Sequence, residues 1–321
     1  MIENENNKQI PIFVVSPGRT GSTFLARFLN DHPKIVVISD LFEPLGPNPY
    51  FDKKSRMSGE KFFKIMSRHA VEPRKRFWKF DSNVERLFYP ENEELVSLMM
   101  CYSIPFLTDK PMRLYEKMKE KFFELPESTP AELTLNFFDL LRRHFNKDIW
   151  VERTGGSIPE IDKIVNTWPD AKYVYNFRDG RETAISMSKH PMFNMYYQMT
   201  KNPGIKDWDY EYSPPLEEFG KLWNDWTILA DNTFSSIPSE NKMNLRYEML
   251  RKNPERTFHS LLNFIFDKEK PSLEDKNHVK KWKNRIKMPP LRFEKLDRTQ
   301  QIKLQNSCKE GLKILDYDLK K

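Results

Sequence analysis

The chain has 321 residues, of which 38% are hydrophobic and 31% are charged, and its formal net charge at pH 7 is +7. These values predict one globular domain, residues 1–321, with a full core. No run of 18 apolar residues occurs and the amino terminus is polar, so we expect neither a signal peptide nor a membrane anchor. Two cysteines, Cys101 and Cys308, give no disulfide framework and no metal-ligand spacing, so we expect a cytoplasmic protein without a metal.

The positive charge is spread through lysine-rich segments such as residues 276–287. We assign most of it to solvated helix faces, and the remaining field would attract a polyanionic ligand. Nucleic acid is the other polyanion that such a field attracts. Because the sequence has no recognition helix, aromatic RNA-binding platform or zinc pattern, we do not expect a nucleic-acid partner.

The first predicted strand, over residues 11–16, leads through a tight turn into a helix over residues 22–31. The turn residues are Pro17, Gly18, Arg19, Thr20, Gly21, Ser22 and Thr23. This order is typical of a phosphate cradle, because glycines let backbone N–H groups approach an anion at the positive end of a helix. An ordinary strand-to-helix turn is the alternative. A nucleoside-triphosphatase loop needs a lysine after Gly21, where this chain has Ser22.

A second strand is predicted over residues 34–39 and is followed directly by Asp40, with Glu43 close behind. A long insertion, about residues 45–147, then begins with turn residues and becomes largely helical. We expect it to contribute to substrate specificity.

Strands and helices alternate after the insertion. Strands are predicted over residues 148–152, 172–177 and 243–247, and helices over residues 157–167, 180–189, 216–235 and 254–266. The pattern indicates an α/β fold with a P-loop-like parallel central sheet flanked by helices, which binds ligands at the carboxyl ends of its strands. Residues 191–215 are predicted to be irregular, and their aromatic side chains serve either plain packing or a lid over the ligand site.

Arg178 stands at the end of a predicted strand, and Ser186 lies about two turns into the helix that follows. An arginine fork together with a hydroxyl suits a terminal phosphate group. The alternative for Arg178 is a surface ion pair with Asp179 or Glu182.

The two segments together resemble the paired cofactor motifs of the sulfotransferases that use 3′-phosphoadenosine 5′-phosphosulfate (PAPS). In that family, a PRSGTT-type loop binds the 5′-phosphosulfate and an R-D-G-R…S segment binds the 3′-phosphate. Further segments resemble the family's landmarks in the family's order: Asp31-His32-Pro33, Trp150 to Thr154, Pro169 to Lys172, Leu245 to Glu248, Lys281-Trp282 and Leu315 to Asp318. The most similar branch is that of the tyrosylprotein sulfotransferases and their bacterial relatives.

The resemblance implies catalytic roles. Arg19 would stabilise the leaving group, and Arg153 would be a second cation facing the sulfuryl group, with an ion pair to Glu152 or Asp162 as its alternative. Asp40 lies where relatives carry a catalytic glutamate, so it is the implied general base; Glu43 is its main competitor and His190 a distant third.

The resemblance also implies the cofactor, PAPS with product PAP (3′-phosphoadenosine 5′-phosphate), and no metal. The implied cofactor-binding residues are Gly18, Arg19, Thr20, Gly21, Ser22, Thr23, Arg178, Ser186, His190, Tyr247 and Lys281. Two departures from the family pattern occur: Arg153-Thr154-Gly155 replaces Lys-Thr-Pro, and His190 replaces an arginine.

The expected reaction is sulfuryl transfer by in-line displacement to a hydroxyl or amine, with a small metabolite as the favoured acceptor. A peptidyl tyrosine and a glycan are the alternative acceptors. A nucleotide kinase and a non-catalytic PAP-binding protein are the alternatives from other classes.

Overall fold

The computed structural model describes residues 9–42, 48–67, 99, 103–202, 209, 212–286 and 291–319. Glu43, and residues 45–47, 68–98 and 100–102 of the predicted insertion, lie outside the described residues. The other predicted site residues all lie within them.

Five parallel strands form one sheet with the order β2-β3-β1-β4-β5. The strands are β1 (Ile12–Val15), β2 (Ile35–Ser39), β3 (Ile149–Thr154), β4 (Lys172–Phe177) and β5 (Lys242–Arg246). The predicted parallel sheet is confirmed. Because β1 is the central strand, the turn that follows it lies in the middle of the carboxyl edge, where parallel sheets bind ligands.

Helices account for most of the remaining described chain. They are α1 (Ser22–Asn30), α2 (Gly59–Met66), α3 (Ile104–Leu107), α4 (Pro111–Phe123), α5 (Pro130–His144), α6 (Ile161–Thr167), α7 (Gly180–Met187), α8 (Pro191–Lys201), α9 (Leu216–Ser235), α10 (Tyr247–Lys252), α11 (Pro254–Phe266), α12 (Leu273–Trp282), α13 (Arg298–Ser307) and α14 (Lys309–Ile314). The helices α9 and α11 have the predicted bounds.

Both faces of the sheet are buried, as expected for parallel strands. In β1, Phe13 and Val15 face a large cluster that includes side chains of α5, α7 and α9. Ile12 and Val14 face a second cluster that includes side chains of α1, α11 and α12. The sheet is therefore fixed from both sides, and this holds its carboxyl edge in place.

The prediction that residues 191–215 are irregular is wrong for residues 191–201, which form α8. Pro191 occupies the first turn of this helix, where its fixed φ is favourable and its missing N–H is not needed. Residues 203–208 and 210–211 lie outside the described residues. In the described ranges, no helix is long and apolar enough to cross a membrane.

Candidate active site

The turn between β1 and α1 is a cradle of left-handed backbone. The φ angles are 79° at Gly18, 58° at Arg19 and 77° at Gly21. A Cβ on Gly18 would lie 2.3 Å from the carbonyl oxygen of Gly155, and one on Gly21 would lie 2.3 Å from Cε2 of Tyr247. Both positions therefore require glycine, and successive residues of this conformation make an anion-binding concavity.

Hydroxyl groups support and line the turn. The backbone N–H of Ser16 donates to Ser157 Oγ (3.2 Å), and that of Gly18 donates to Ser16 Oγ (3.2 Å). Thr20 is buried, and its Oγ1 has no hydrogen-bond partner among the described residues. A buried hydroxyl without a partner costs about 1–3 kcal/mol. The turn thus fits a phosphate group, whose oxygens would bind this hydroxyl and the N-terminus of α1.

Arg153 and Asp40 form an ion pair beside the cradle. Asp40 Oδ1 accepts from Arg153 Nη1 (2.7 Å) and from the backbone N–H of Gly155 (2.9 Å). The side chain of Arg153 is 3% exposed and that of Asp40 is 19% exposed. The structure therefore gives Arg153 an ion pair with Asp40, a partner that differs from both predicted alternatives.

The pair leaves one carboxylate oxygen available. Both of these hydrogen bonds go to Oδ1 of Asp40, so Oδ2 is the atom that could accept a proton from a substrate. An ideal Cβ on Gly155 would lie 3.4 Å from Asp40 Oδ1 and 3.5 Å from Ser22 Oγ. Gly155 is therefore the place where the ion pair and the cradle meet. We did not predict this role; the glycine in place of the family's proline was the signal for it.

Arg178 is buried against the other side of the cradle. Its guanidinium carbon lies 5.1 Å from the centre of the Tyr247 ring, and its Nη2 lies 3.4 Å from Glu182 Oε2. The same tyrosine ring packs against Gly21. The two predicted phosphate-binding segments thus meet at Tyr247, and the ion pair with Glu182 is buried instead of exposed.

Ser186 and His190 lie beside Arg19. Arg19 Nε donates to Ser186 Oγ (3.2 Å), and Nδ1 of His190 is buried without a hydrogen-bond partner among the described residues. Burial and, second, the positive charge of Arg19 lower the pKa of His190 to about 3. The imidazole is therefore neutral near pH 7 and can donate one hydrogen bond, but it adds no charge.

The low pKa of His190 predicts an acid-sensitive fold. The folded pKa of about 3 lies below the ordinary value of 6.5, so the unfolded state takes up the proton first and stability falls as the pH drops below 6.5. Between pH 7 and pH 5 we expect the wild type to lose about 2 kcal/mol more unfolding free energy than His190→Gln. Urea titrations at both pH values measure this difference, and equal losses would contradict it.

Lys281 is not brought to the cradle. Its Nζ donates to Asp31 Oδ2 (2.6 Å), which also accepts from Trp282 Nε1 (2.7 Å). Asp31 caps the carboxyl end of α1, about 13 Å along the helix from the cradle. The structure thus does not bring Lys281 to the other candidate cofactor residues, and the cofactor role that the resemblance implies for it stays a prediction.

Potential metal ligands do not cluster among the described residues of this edge. Among the described residues, no group of three or more His, Cys, Asp or Glu side chains is placed to hold a metal ion. The charged groups that the structure brings together here are Arg19, Asp40, Arg153 and Arg178.

Comparisons with known proteins agree with this architecture. A family model described as the sulfotransferase family matches residues 11–266. The fold is similar to a sulfotransferase domain from the curacin biosynthetic pathway, with 13% identity, a TM-score of 0.53 and coverage of 98% of this chain and 100% of that chain. It is also similar to sulfotransferase STF9 from Mycobacterium avium, with 12% identity, a TM-score of 0.52 and coverage of 98% and 79%. A search of curated protein sequences gave no significant match.

Proposed function

The chain belongs to the sulfotransferase family, and from this premise we propose that it transfers the sulfuryl group of PAPS to a hydroxyl or amine of a small-molecule acceptor. One observation supports this donor most strongly. The glycine cradle and the Arg178 guanidinium both contact the ring of Tyr247, and each of them is suited to binding an anion. PAPS carries anionic groups at both its 5′ and its 3′ positions, so it needs two such sites.

We assign the 5′ end of the donor to the cradle. Backbone N–H groups of the turn, the unpartnered hydroxyl of Thr20 and the hydroxyls of Ser22 and Thr23 would hold it. We assign the 3′-phosphate to Arg178 and Ser186, with the neutral imidazole of His190 as an additional donor. The missing lysine after Gly21 argues against a nucleotide kinase.

PAPS supplies the sulfuryl group, and the protein supplies positioning and charge. We propose that Arg19 and Arg153 stabilise the negative charge that develops during transfer. Asp40 would accept the acceptor's proton at Oδ2, because Oδ1 is held by Arg153 and Gly155. The ion pair would also keep the Arg153 guanidinium beside the cradle.

A small acceptor is favoured over a peptidyl tyrosine or a glycan by the half-buried aromatic side chains of α8. Phe193 reaches the Gly18 side of the cradle, and the Tyr196 ring lies 5.2 Å from the ring of Trp226. An aromatic surface beside the cradle suits the apolar body of a small molecule.

Replacing Arg178 by alanine should weaken PAP binding at least about tenfold, because a charge-assisted hydrogen bond is worth about 1.5–3 kcal/mol. Binding of 5′-AMP, which lacks the 3′-phosphate, should not change. Calorimetric titration with both nucleotides measures the two affinities.

Arg181→Ala is the matched control for this test. The Arg181 guanidinium donates to Asp179 (2.7 Å) and Gln305 (2.9 Å), so its removal should cost much less PAP affinity than Arg178→Ala does. Equal loss of PAP and 5′-AMP binding in Arg178→Ala, or no loss at all, would contradict the assignment of the 3′-phosphate.

A further inference from the structure

Glu182, in the first turn of α7, is a buried carboxylate whose two oxygens hold different parts of the molecule. Oε2 lies 3.4 Å from Nη2 of Arg178. Oε1 accepts from the backbone N–H groups of Arg292 (2.6 Å) and Phe293 (2.9 Å). The side chain is 4% exposed. Glu182 therefore connects the candidate 3′-phosphate arginine to the carboxyl-terminal part of the chain.

Other contacts fasten the same carboxyl-terminal residues to α7. The Arg181 guanidinium lies 4.9 Å from the centre of the Phe293 ring, and Asp179 holds this guanidinium at 2.7 Å. Arg292 and Phe293 lie beyond residues 11–266, which the family model matches. The connection thus joins a residue inside the matched region, Glu182, to two residues outside it.

We propose that Glu182 is a positioning residue that orients Arg178 for the 3′-phosphate and couples that site to residues 292–293. The inference rests on the proposed function. The ring of Tyr247 packs against the face of the Arg178 guanidinium, and Glu182 accepts a hydrogen bond from its Nη2. Fixing an arginine side chain before a ligand arrives removes much of the entropy loss that binding would otherwise cost.

The coupling runs in both directions, because linkage between two binding equilibria is reciprocal. A phosphate on Arg178 immobilises the guanidinium and therefore the Glu182 carboxylate beside it. The same carboxylate holds the N–H groups of Arg292 and Phe293. Binding of a ligand at the 3′-phosphate site thus makes local opening of the chain at these two residues rarer, and hydrogen exchange of their amides becomes slower.

Glu182→Gln tests the proposal. The glutamine keeps an oxygen for the two backbone N–H groups, but it places an NH₂ group, which cannot accept, against Arg178. We expect the ratio of PAP to 5′-AMP affinity to fall about fivefold, with the 5′-AMP affinity unchanged. In the wild type, PAP and not 5′-AMP should slow hydrogen exchange at Arg292 and Phe293, and Glu182→Gln should abolish this difference.

Glu248→Gln is the matched control. Glu248 also fastens the carboxyl-terminal part, through the N–H of Asp179 (3.0 Å) and the hydroxyl of Tyr317 (2.8 Å). Because the contacts of Glu248 do not include Arg178, this variant should leave the affinity ratio unchanged. If it lowers the ratio as much as Glu182→Gln does, the effect is general loosening and the proposal is wrong.

The failures of the two proposals are distinguishable. If the wild type binds PAP no more tightly than 5′-AMP, the proposed function fails and the positioning role fails with it. If the wild type prefers PAP and Glu182→Gln keeps the full preference, only the positioning role is overturned. Should Glu182→Gln not fold, unchanged exchange at Arg292 and Phe293 on addition of PAP to the wild type overturns the coupling by itself.

Discussion

Arg19→Ala is expected to lower kcat by about 10²–10³-fold while PAP still binds. Arg19 belongs to the cradle turn, where its Nε donates to Ser186 Oγ (3.2 Å), and the resemblance implies that its guanidinium contacts the bridging oxygen of the leaving group. Charge develops on that oxygen during transfer, so the interaction gains strength in the transition state. Arg19 has a φ of 58°, and alanine at this position has the same backbone strain. The decrease in kcat therefore measures the loss of the arginine side chain alone. Single-turnover kinetics with radiolabelled PAPS and a calorimetric PAP titration measure the two quantities.

Arg19→Lys is the control for this variant. Lysine keeps the positive charge but not the planar fork, so an intermediate rate is expected. A decrease in kcat of less than tenfold in Arg19→Ala, or a complete loss of PAP binding, would contradict a role in leaving-group stabilisation.

Asp40→Asn should lower kcat by about 10²–10⁴-fold, because asparagine cannot take the proton from the acceptor. The PAP affinity should stay within a few-fold of the wild type, since Asp40 contacts Arg153 and Gly155 and not the residues assigned to the 3′-phosphate. Steady-state kinetics at saturating PAPS and acceptor measure the rate.

Asp31→Asn is a suitable control for Asp40→Asn. It removes a carboxylate from another ion pair, with Lys281 at the far end of α1, and should leave kcat unchanged. Glu43→Gln tests the competing base. A wild-type rate in Asp40→Asn together with a large loss in Glu43→Gln would transfer the role of base to Glu43.

Strands β1, β2 and β4 could be predicted because each is a short run of mainly apolar, β-branched and aromatic residues. The cradle could be predicted because its glycines directly follow such a run. Local sequence patterns alone do not predict that the cradle lies close to Arg178. The resemblance to the order of landmarks in a known family does predict it. Tyr247, predicted from that order, lies between the two segments in the structure.

Contacts that depend on the order of the strands could not be predicted. Asp40 and Arg153 are separated by the long insertion, and they pair because β2 and β3 are neighbours in the sheet. The position of Lys281 depends on how α12 packs against α1, which the sequence pattern does not specify. The helix α8 is not predicted by local pattern, because proline and asparagine in this aromatic stretch also suit turns, while proline is equally favoured in the first turn of a helix.

A thermal-shift titration of the wild type with PAP, ATP and magnesium-ATP tests the donor assignment most directly. A ligand that binds only the folded state adds about 2.7 kcal/mol of stability at 100 times its Kd. We expect a large rise in Tm with PAP and little with ATP, because only a nucleotide with a 3′-phosphate would use the anion site that we propose at Arg178. An equal or larger rise with magnesium-ATP would contradict the use of PAPS as the donor.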